Sequence, residues 1–459
     1  MIRKLGALGL GLGALWLLAC AYFALQEPDL RFSAEDLRRP LPAWPPGFLW
    51  GTATAAHQVE GGNRNDWSRF EDEPGRIAHG DRSGLAVDHW NRMAEDVARM
   101  RDVKANAYRF SVEWSRLEPR EGEWDDAAFG RYRELLSLLR EARITPMVTL
   151  LHFTLPQWLA DRGGVRAPDF PLRFAHFAGE AARRLGREVD LWCVLNEPNV
   201  HMYLGYVEGV WPPGRKSPAE AAEAFAGLLR AHALAARGVR THDPGAQLGV
   251  AQNLIVLEPG SRWSLPDWLL ARGAGDAFNW AFYDSIQAGR IRLRSPGFPT
   301  LDLPLLELAG SADYFGANYY RRDLIRLAPS APGFFEIRPG TGPRNDLGWE
   351  IYPEGLLRVL RQAWARYRMP IYVTENGIAD AKGDVRPSYL RAHAYATARA
   401  IAEGVPVKGY FHWSLMDNFE WAEGFAARFG LYRVEPGTLD RIPTPGAGAF
   451  ADLAPPQGP

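Results

Sequence analysis

The chain has 459 residues, 47% of them hydrophobic and 23% charged, enough to bury a large core in one domain or in two or three smaller ones. Its 53 Lys and Arg against 54 Asp and Glu leave a net charge of -1, which offers no general attraction to nucleic acid. Two cysteines, Cys20 and Cys193, and ten histidines without HExxH-type spacing argue against a disulfide framework and against a bound metal.

At the N-terminus, Arg3 and Lys4 precede an uncharged stretch from Leu5 to Leu25, long enough at about 1.5 Å per residue to span a hydrocarbon core of about 30 Å. It is long for a signal-peptide core and has no A-x-A cleavage site before Gln26, so residues 1–26 read first as an uncleaved signal anchor. Leu17-Leu18-Ala19-Cys20 also looks like a bacterial lipobox with Cys20 as a lipidated terminus, and a buried hydrophobic helix is the third reading. Arg3 and Lys4 favour a cytoplasmic N-terminus, hence a membrane-anchored protein whose main domain is periplasmic or extracellular. Residues 27–45 are charged and Pro-rich and read as a linker, residues 46–447 as one domain, and residues 448–459 as a Pro/Gly-rich tail.

Within the main domain eight short apolar runs alternate with longer segments. They begin at Phe48 (FLWGTATA), Asn106 (NAYRFSVEW), Thr145 (TPMVTLLHF), Asp190 (DLWCVLNEP), Gln247 (QLGVAQN), Asp313 (DYFGANYY), Pro370 (PIYVTENG) and Val407 (VKGYFHWSL). Helical periodicity appears between several of them, from Tyr132, from Phe170 and from Ala219. Eight strands with helical crossovers over about 400 residues predict an α/β fold, a single (β/α)8 TIM barrel with long βα loops, preceded by an N-terminal hydrophobic helix. A doubly wound sheet is the alternative, but the only glycine-rich string, GALGLGLGAL, lies in the apolar N-terminal stretch and not between a strand and a helix.

The runs end in polar or aromatic residues: Gln58, Arg109, His152, Asn196 with Glu197, Asn318 with Tyr320, Glu375 and Trp413. In a barrel those ends meet at one face, so residues hundreds of positions apart would line one pocket. Glu197 in LNEP and Glu375 in VTENG then supply two carboxylates. A protonated and an ionised carboxyl facing each other are what cleavage of a glycosidic bond requires.

From about Pro46 to Val434 the chain resembles glycoside hydrolase family 1, the β-glucosidase and β-galactosidase family. The resemblance rests on FLWGTATAAHQVEG, YRFSVEWSRLEP, LLHFTLPQWL, LNEP, GANYY, LGWEIYPEGL, IYVTENG and GYFHWSLMDNFEWAEGFAARFGLY, all in order. It implies a double-displacement mechanism without a cofactor, with Glu197 as general acid and base and Glu375 as nucleophile, about 5 to 5.5 Å apart. It further implies Arg109 and Tyr320 as partners of the nucleophile. Gln58, His152, Asn196, Glu420 and Trp421 would hold the sugar, beside Asn318, with Trp413 as stacking platform and Trp349 at the aglycone entrance. A carboxylate at Glu420 would repel a 6-phosphate, which disfavours phospho-sugars. The chain departs from the family at Phe153 and Thr154, where many members carry Trp and Asp. Plant galactolipid galactosyltransferases of the family also lack that Trp and carry a hydrophobic N-terminus. The expected function is therefore hydrolysis of β-linked glucosides, galactosides or fucosides, with membrane-associated glycosyl transfer as the alternative and a non-enzymatic binding domain as a weaker one.

Overall fold

The computed structural model describes residues 2–331 and 334–456, with side chains described from residue 11 onward. The centre is a closed barrel of eight parallel strands: β1 (Leu49–Ala53), β2 (Ala107–Ser111), β3 (Thr145–Leu151), β4 (Leu191–Asn196), β5 (Gln247–Pro259), β6 (Tyr314–Leu327), β7 (Ile371–Asn376) and β8 (Val407–Trp413). Each pairs in parallel with the next, and β8 closes on β1. These are the eight apolar runs in their sequence order. Their near-continuous hydrophobicity follows from burial on both faces: β2, β4 and β7 have no exposed residue.

The crossover helices present one apolar face inward. In the helix Phe170–Leu185, Phe170, Phe174, Phe177, Ala178, Ala181 and Leu185 are buried, a spacing of three and four residues. It packs on the helix Pro218–His242, whose start is set by Ser217 accepting from the Glu220 N–H and by Pro218. Small residues allow close approach here: a side chain at Gly238 would meet the Ala175 carbonyl oxygen at 2.8 Å.

Two strands overshoot the barrel. β5 has 13 residues and β6 has 14, and they stay paired out to Pro259 and Ile325. A short strand, Phe335–Pro339, adds antiparallel to the outer part of β6. At about 3.3 Å per residue the ladder runs roughly 20 Å beyond Asn253.

The N-terminal segment differs from expectation. A helix, α1, covers Ile2–Gln26. Among the described residues no helix is long and apolar enough to cross a membrane, so the spanning segment expected at Leu5–Leu25 is not supported. Its first part, through residue 10, lies outside the described side chains. From Gly11 to Gln26 the helix is described with its side chains. It lies against the protein instead: Phe23 stacks on Trp268 at 5.8 Å, the Trp16 indole donates to the Trp263 carbonyl at 2.9 Å, and Cys20 is buried.

Residues 27–45 run along the domain. Phe32 N–H donates to Glu354, Arg358 donates to the Pro28 carbonyl, and Trp44 stacks on Phe48. The helix Pro445–Asp452 follows the last strands, with Phe450 buried against Trp50.

Candidate active site

All eight strand ends open on one face, and a cavity of about 1420 Å³ sinks into it. Glu375 sits next to the end of β7 and is almost fully buried. Arg109 on β2 donates to its Oε1 at 2.5 Å, and the Tyr320 hydroxyl on β6 donates to its Oε2 at 2.7 Å. Both carboxylate oxygens are therefore engaged by donors, which fix the orientation of the side chain. The following residue, Asn376, is pinned by the Tyr319 carbonyl and by the Tyr389 and Tyr410 hydroxyls. Gly377 comes next, and a side chain there would collide with the Trp413 carbonyl oxygen at 1.8 Å. Close approach of β7 to β8 at this level needs glycine.

Glu197 follows β4 directly and adopts φ 43°, ψ 58°, a left-handed conformation uncommon outside glycine. That turn starts the short helix Pro198–Met202 and places the carboxyl in the cavity. Asn253 and Asn318 each donate to Glu197 Oε1 at 2.8 Å. These bonds favour ionisation, but burial outweighs them. Burial first, and the charge of Glu375 second, push the Glu197 carboxyl up to about 8. Near neutral pH this carboxyl holds its proton.

One network joins the two carboxylates. Asn196 Oδ1 accepts from Arg109 at 2.7 Å and from Asn318 at 3.2 Å. Its amide nitrogen must then face His152 Nε2, 3.0 Å away, so that nitrogen accepts and the imidazole proton sits on Nδ1. Burial, then Arg109, hold His152 well below the ordinary histidine range, so the ring is neutral. Thr374 donates to Asn318 Oδ1 at 2.7 Å and completes the set.

The remaining expected residues form the floor and rim. Gln58 donates its amide to Asn418, Phe419 and Glu420, while its Oε1 is buried without a partner. The Glu420 carboxyl is raised to about 8, first by burial and, among charges, by Glu375, against a hydrogen bond from Trp413. Trp413 and Trp421 flank His152 with ring centres 5.9 and 6.0 Å away. Trp349 packs edge-on to Tyr320 at 5.8 Å at the opening.

The structure thus brings together every residue expected from the sequence. His152, Asn196, Glu197, Tyr320, Trp349, Glu375, Trp413, Glu420 and Trp421 line the cavity, with Arg109, Gln58 and Asn318 buried behind them. Phe153, φ 70°, packs on Trp421 at 5.2 Å and Trp211 at 4.8 Å, an apolar wall where an indole N–H was expected in many relatives. Sequence reasoning missed Asn253, although QLGVAQN ends on it, and it missed Trp211, which lies in a loop without a readable pattern.

A closed parallel barrel whose strand ends bring two buried carboxyls, Glu197 and Glu375, into one cavity is the arrangement of an O-glycosyl hydrolase. Comparison with known proteins agrees. The Glycosyl hydrolase family 1 profile matches residues 42–458, and the chain belongs to that family. It is 35% identical to a 1,4-beta-D-glucan glucohydrolase of Thermotoga neapolitana, over 87% of this chain and 99% of that protein. It is 33% identical to a beta-galactosidase of Pyrococcus woesei, over 87% of this chain and 94% of that one. Among solved structures, a Thermotoga maritima beta-glucosidase in complex with glucoimidazole superposes with a TM-score of 0.85, at 32% identity, covering 90% of this chain and 98% of that one.

Proposed function

We propose that this retaining β-glycosidase acts on β-glucosides, with β-galactosides as second substrates, and that Glu375 and Glu197 carry the two steps. In the first, a Glu375 oxygen attacks the anomeric carbon, and the bond to the aglycone oxygen breaks with its electron pair. Glu197 gives its proton to that oxygen, and the aglycone leaves as an alcohol. Glu375 is now an ester and carries no charge. The Glu197 carboxylate, released from that repulsion, takes a proton from water, whose oxygen displaces Glu375 and frees the sugar.

Arg109 and Tyr320 hold Glu375 oriented for attack. Asn196, between Arg109 and His152, is set to meet the 2-hydroxyl, and Gln58 Oε1 offers an acceptor that a sugar hydroxyl completes. Trp413 provides the apolar face for the ring. Glucose-directed relatives and a galactose-directed one share this framework, which supports both configurations. Neither the relatives nor the described residues favour glycosyl transfer over hydrolysis.

The observation that carries the assignment is two buried carboxyls tied by one network, with donors on both oxygens of Glu375 and with burial and the neighbouring Glu375 raising Glu197. The test is turnover of p-nitrophenyl β-glucoside and β-galactoside by the full chain beside Glu375→Gln and Glu197→Ala. Release lost in Glu375→Gln, and azide restoring Glu197→Ala with a β-glycosyl azide as product, are expected. An α-configured azide product would sink the assignment.

A further inference from the structure

The cavity is larger than a sugar needs. Ligand sites commonly hold about 300–1,000 Å³, against about 1420 Å³ here. Along the overshooting part of β5 and β6 the lining outward from Glu197 is mainly apolar, while Arg76, Lys216 and Glu423 belong to other parts of the lining. Leu257 on β5, Ile325 on β6, Ile337 on the added strand, Phe278, and Leu269 and Ala274 on the helix Leu265–Gly275 line this part. The charged pair in this stretch, Arg321 and Asp323, is closed on itself at 2.8 Å.

Several of these side chains face solvent at the mouth: Leu269 is 56% exposed, Ile337 45% and Phe334 68%. Singly exposed apolar residues need no cause, but a rim of them continuous with an apolar trough does. A sugar acceptor would need hydrogen-bonding groups along the trough. Its length of roughly 20 Å exceeds the ~15 Å depth of one leaflet of a bilayer core.

The same wall continues into α1. The helix Leu265–Gly275 carries Leu269 and Ala274 on the trough and Trp268 against Phe23 of α1. α1 in turn leaves Leu15, Leu18, Tyr22 and Leu25 exposed, at helical spacing.

We propose that this trough is a subsite for a long hydrocarbon aglycone, so that the enzyme's preferred substrates are β-glycosides of alkyl or acyl lipids. The proposal rests on the hydrolase reading: the chain lies in the trough while its sugar occupies the pocket at Glu197 and Glu375. Burial of the tail supplies binding energy, which lowers KM for the whole substrate.

The experiment is a chain-length series, methyl, butyl, hexyl and octyl β-glucoside, each below the concentration at which it forms micelles, with p-nitrophenyl β-glucoside alongside. KM should fall with each added methylene, by up to about fourfold per fully buried CH2, and by at least tenfold from butyl to octyl. In Leu269→Asp and Ile337→Asp the ratio of octyl to methyl kcat/KM should drop at least tenfold, a readout internal to each variant and independent of how much of it folds. Turnover of the aryl glucoside with a flat alkyl series overturns the trough and leaves the hydrolase standing. No turnover of any β-glycoside overturns both.

A second arm separates the source of the tail. Cleavage of a glucosyl diacylglycerol in phosphatidylcholine vesicles, reduced by Leu18→Glu on α1, identifies a lipid surface. Cleavage of monomeric alkyl glucosides alone, with the same chain-length gain, identifies dispersed amphiphiles.

Discussion

The two halves of the cavity are built on opposite principles. The inner half is polar, assembled from strand ends, and a hydrogen-bond network of Arg109, Tyr320, Asn196, Asn253 and Asn318 holds Glu197 and Glu375. The outer half is apolar, assembled from strand extensions and loop helices, and its Leu269 and Ile337 remain open to water. Rigid strand ends hold catalytic groups to the accuracy that proton transfer demands, while a surface that only removes hydrocarbon from water tolerates looser construction. Chemistry and selectivity are therefore separable by mutation.

Glu375→Gln should break the inner half most deeply. It keeps the volume and removes the nucleophile, and kcat should fall by about 10⁴-fold or more in single-turnover kinetics. Tyr320→Phe removes one donor to the charged carboxylate. A hydrogen bond to a charged group is worth about 1.5–3 kcal/mol, so kcat/KM should fall by about 10- to 100-fold with the fold intact by circular dichroism.

A third change sharpens the electrostatic account. Asn318→Ala deletes a donor that favours the ionised form of Glu197, so its carboxyl rises further above about 8. The alkaline limb of the kcat/KM profile, where the general acid loses its proton, should move to higher pH. A limb that stays in place or moves down would show that another group governs it.

A further effect is on stability and leaves catalysis aside. A carboxyl at about 8 in the folded chain, against about 4.3 unfolded, binds more protons folded than unfolded between those values. Stability thus falls as pH rises from about 4.3 to 8, and the penalty is absent below that window. Glu197→Gln should therefore stabilise the protein by on the order of 3 kcal/mol at pH 7, shrinking towards pH 4.5, as followed by calorimetry.

The same contrast governs what could be read in advance. Glu197 and Glu375 were legible as neighbours because each ends a short apolar run and a parallel barrel brings such ends to one face, and as catalytic groups through the resemblance of LNEP and VTENG to the family. Arg109, Tyr320 and Asn318 were legible for the same reason. Asn253 ended a recognised run and was passed over because an Asn has no chemistry of its own until a carboxyl lies beside it. The trough had no signal at all: its residues come from five segments whose apolar character looks like ordinary core. α1 shows the converse error, since hydrophobicity along a helix reports an apolar partner but not whether that partner is lipid or, as at Trp268, protein.

The sequence alone determined the eight strands, the face on which they end and the two carboxyls placed there, because periodicity and chain order are local properties that the barrel converts into position. Only the tertiary structure decided what raises the Glu197 carboxyl, where α1 lies and how far the cavity extends. Those depend on burial and on distances between residues far apart in the chain, and neither quantity exists before the chain has folded.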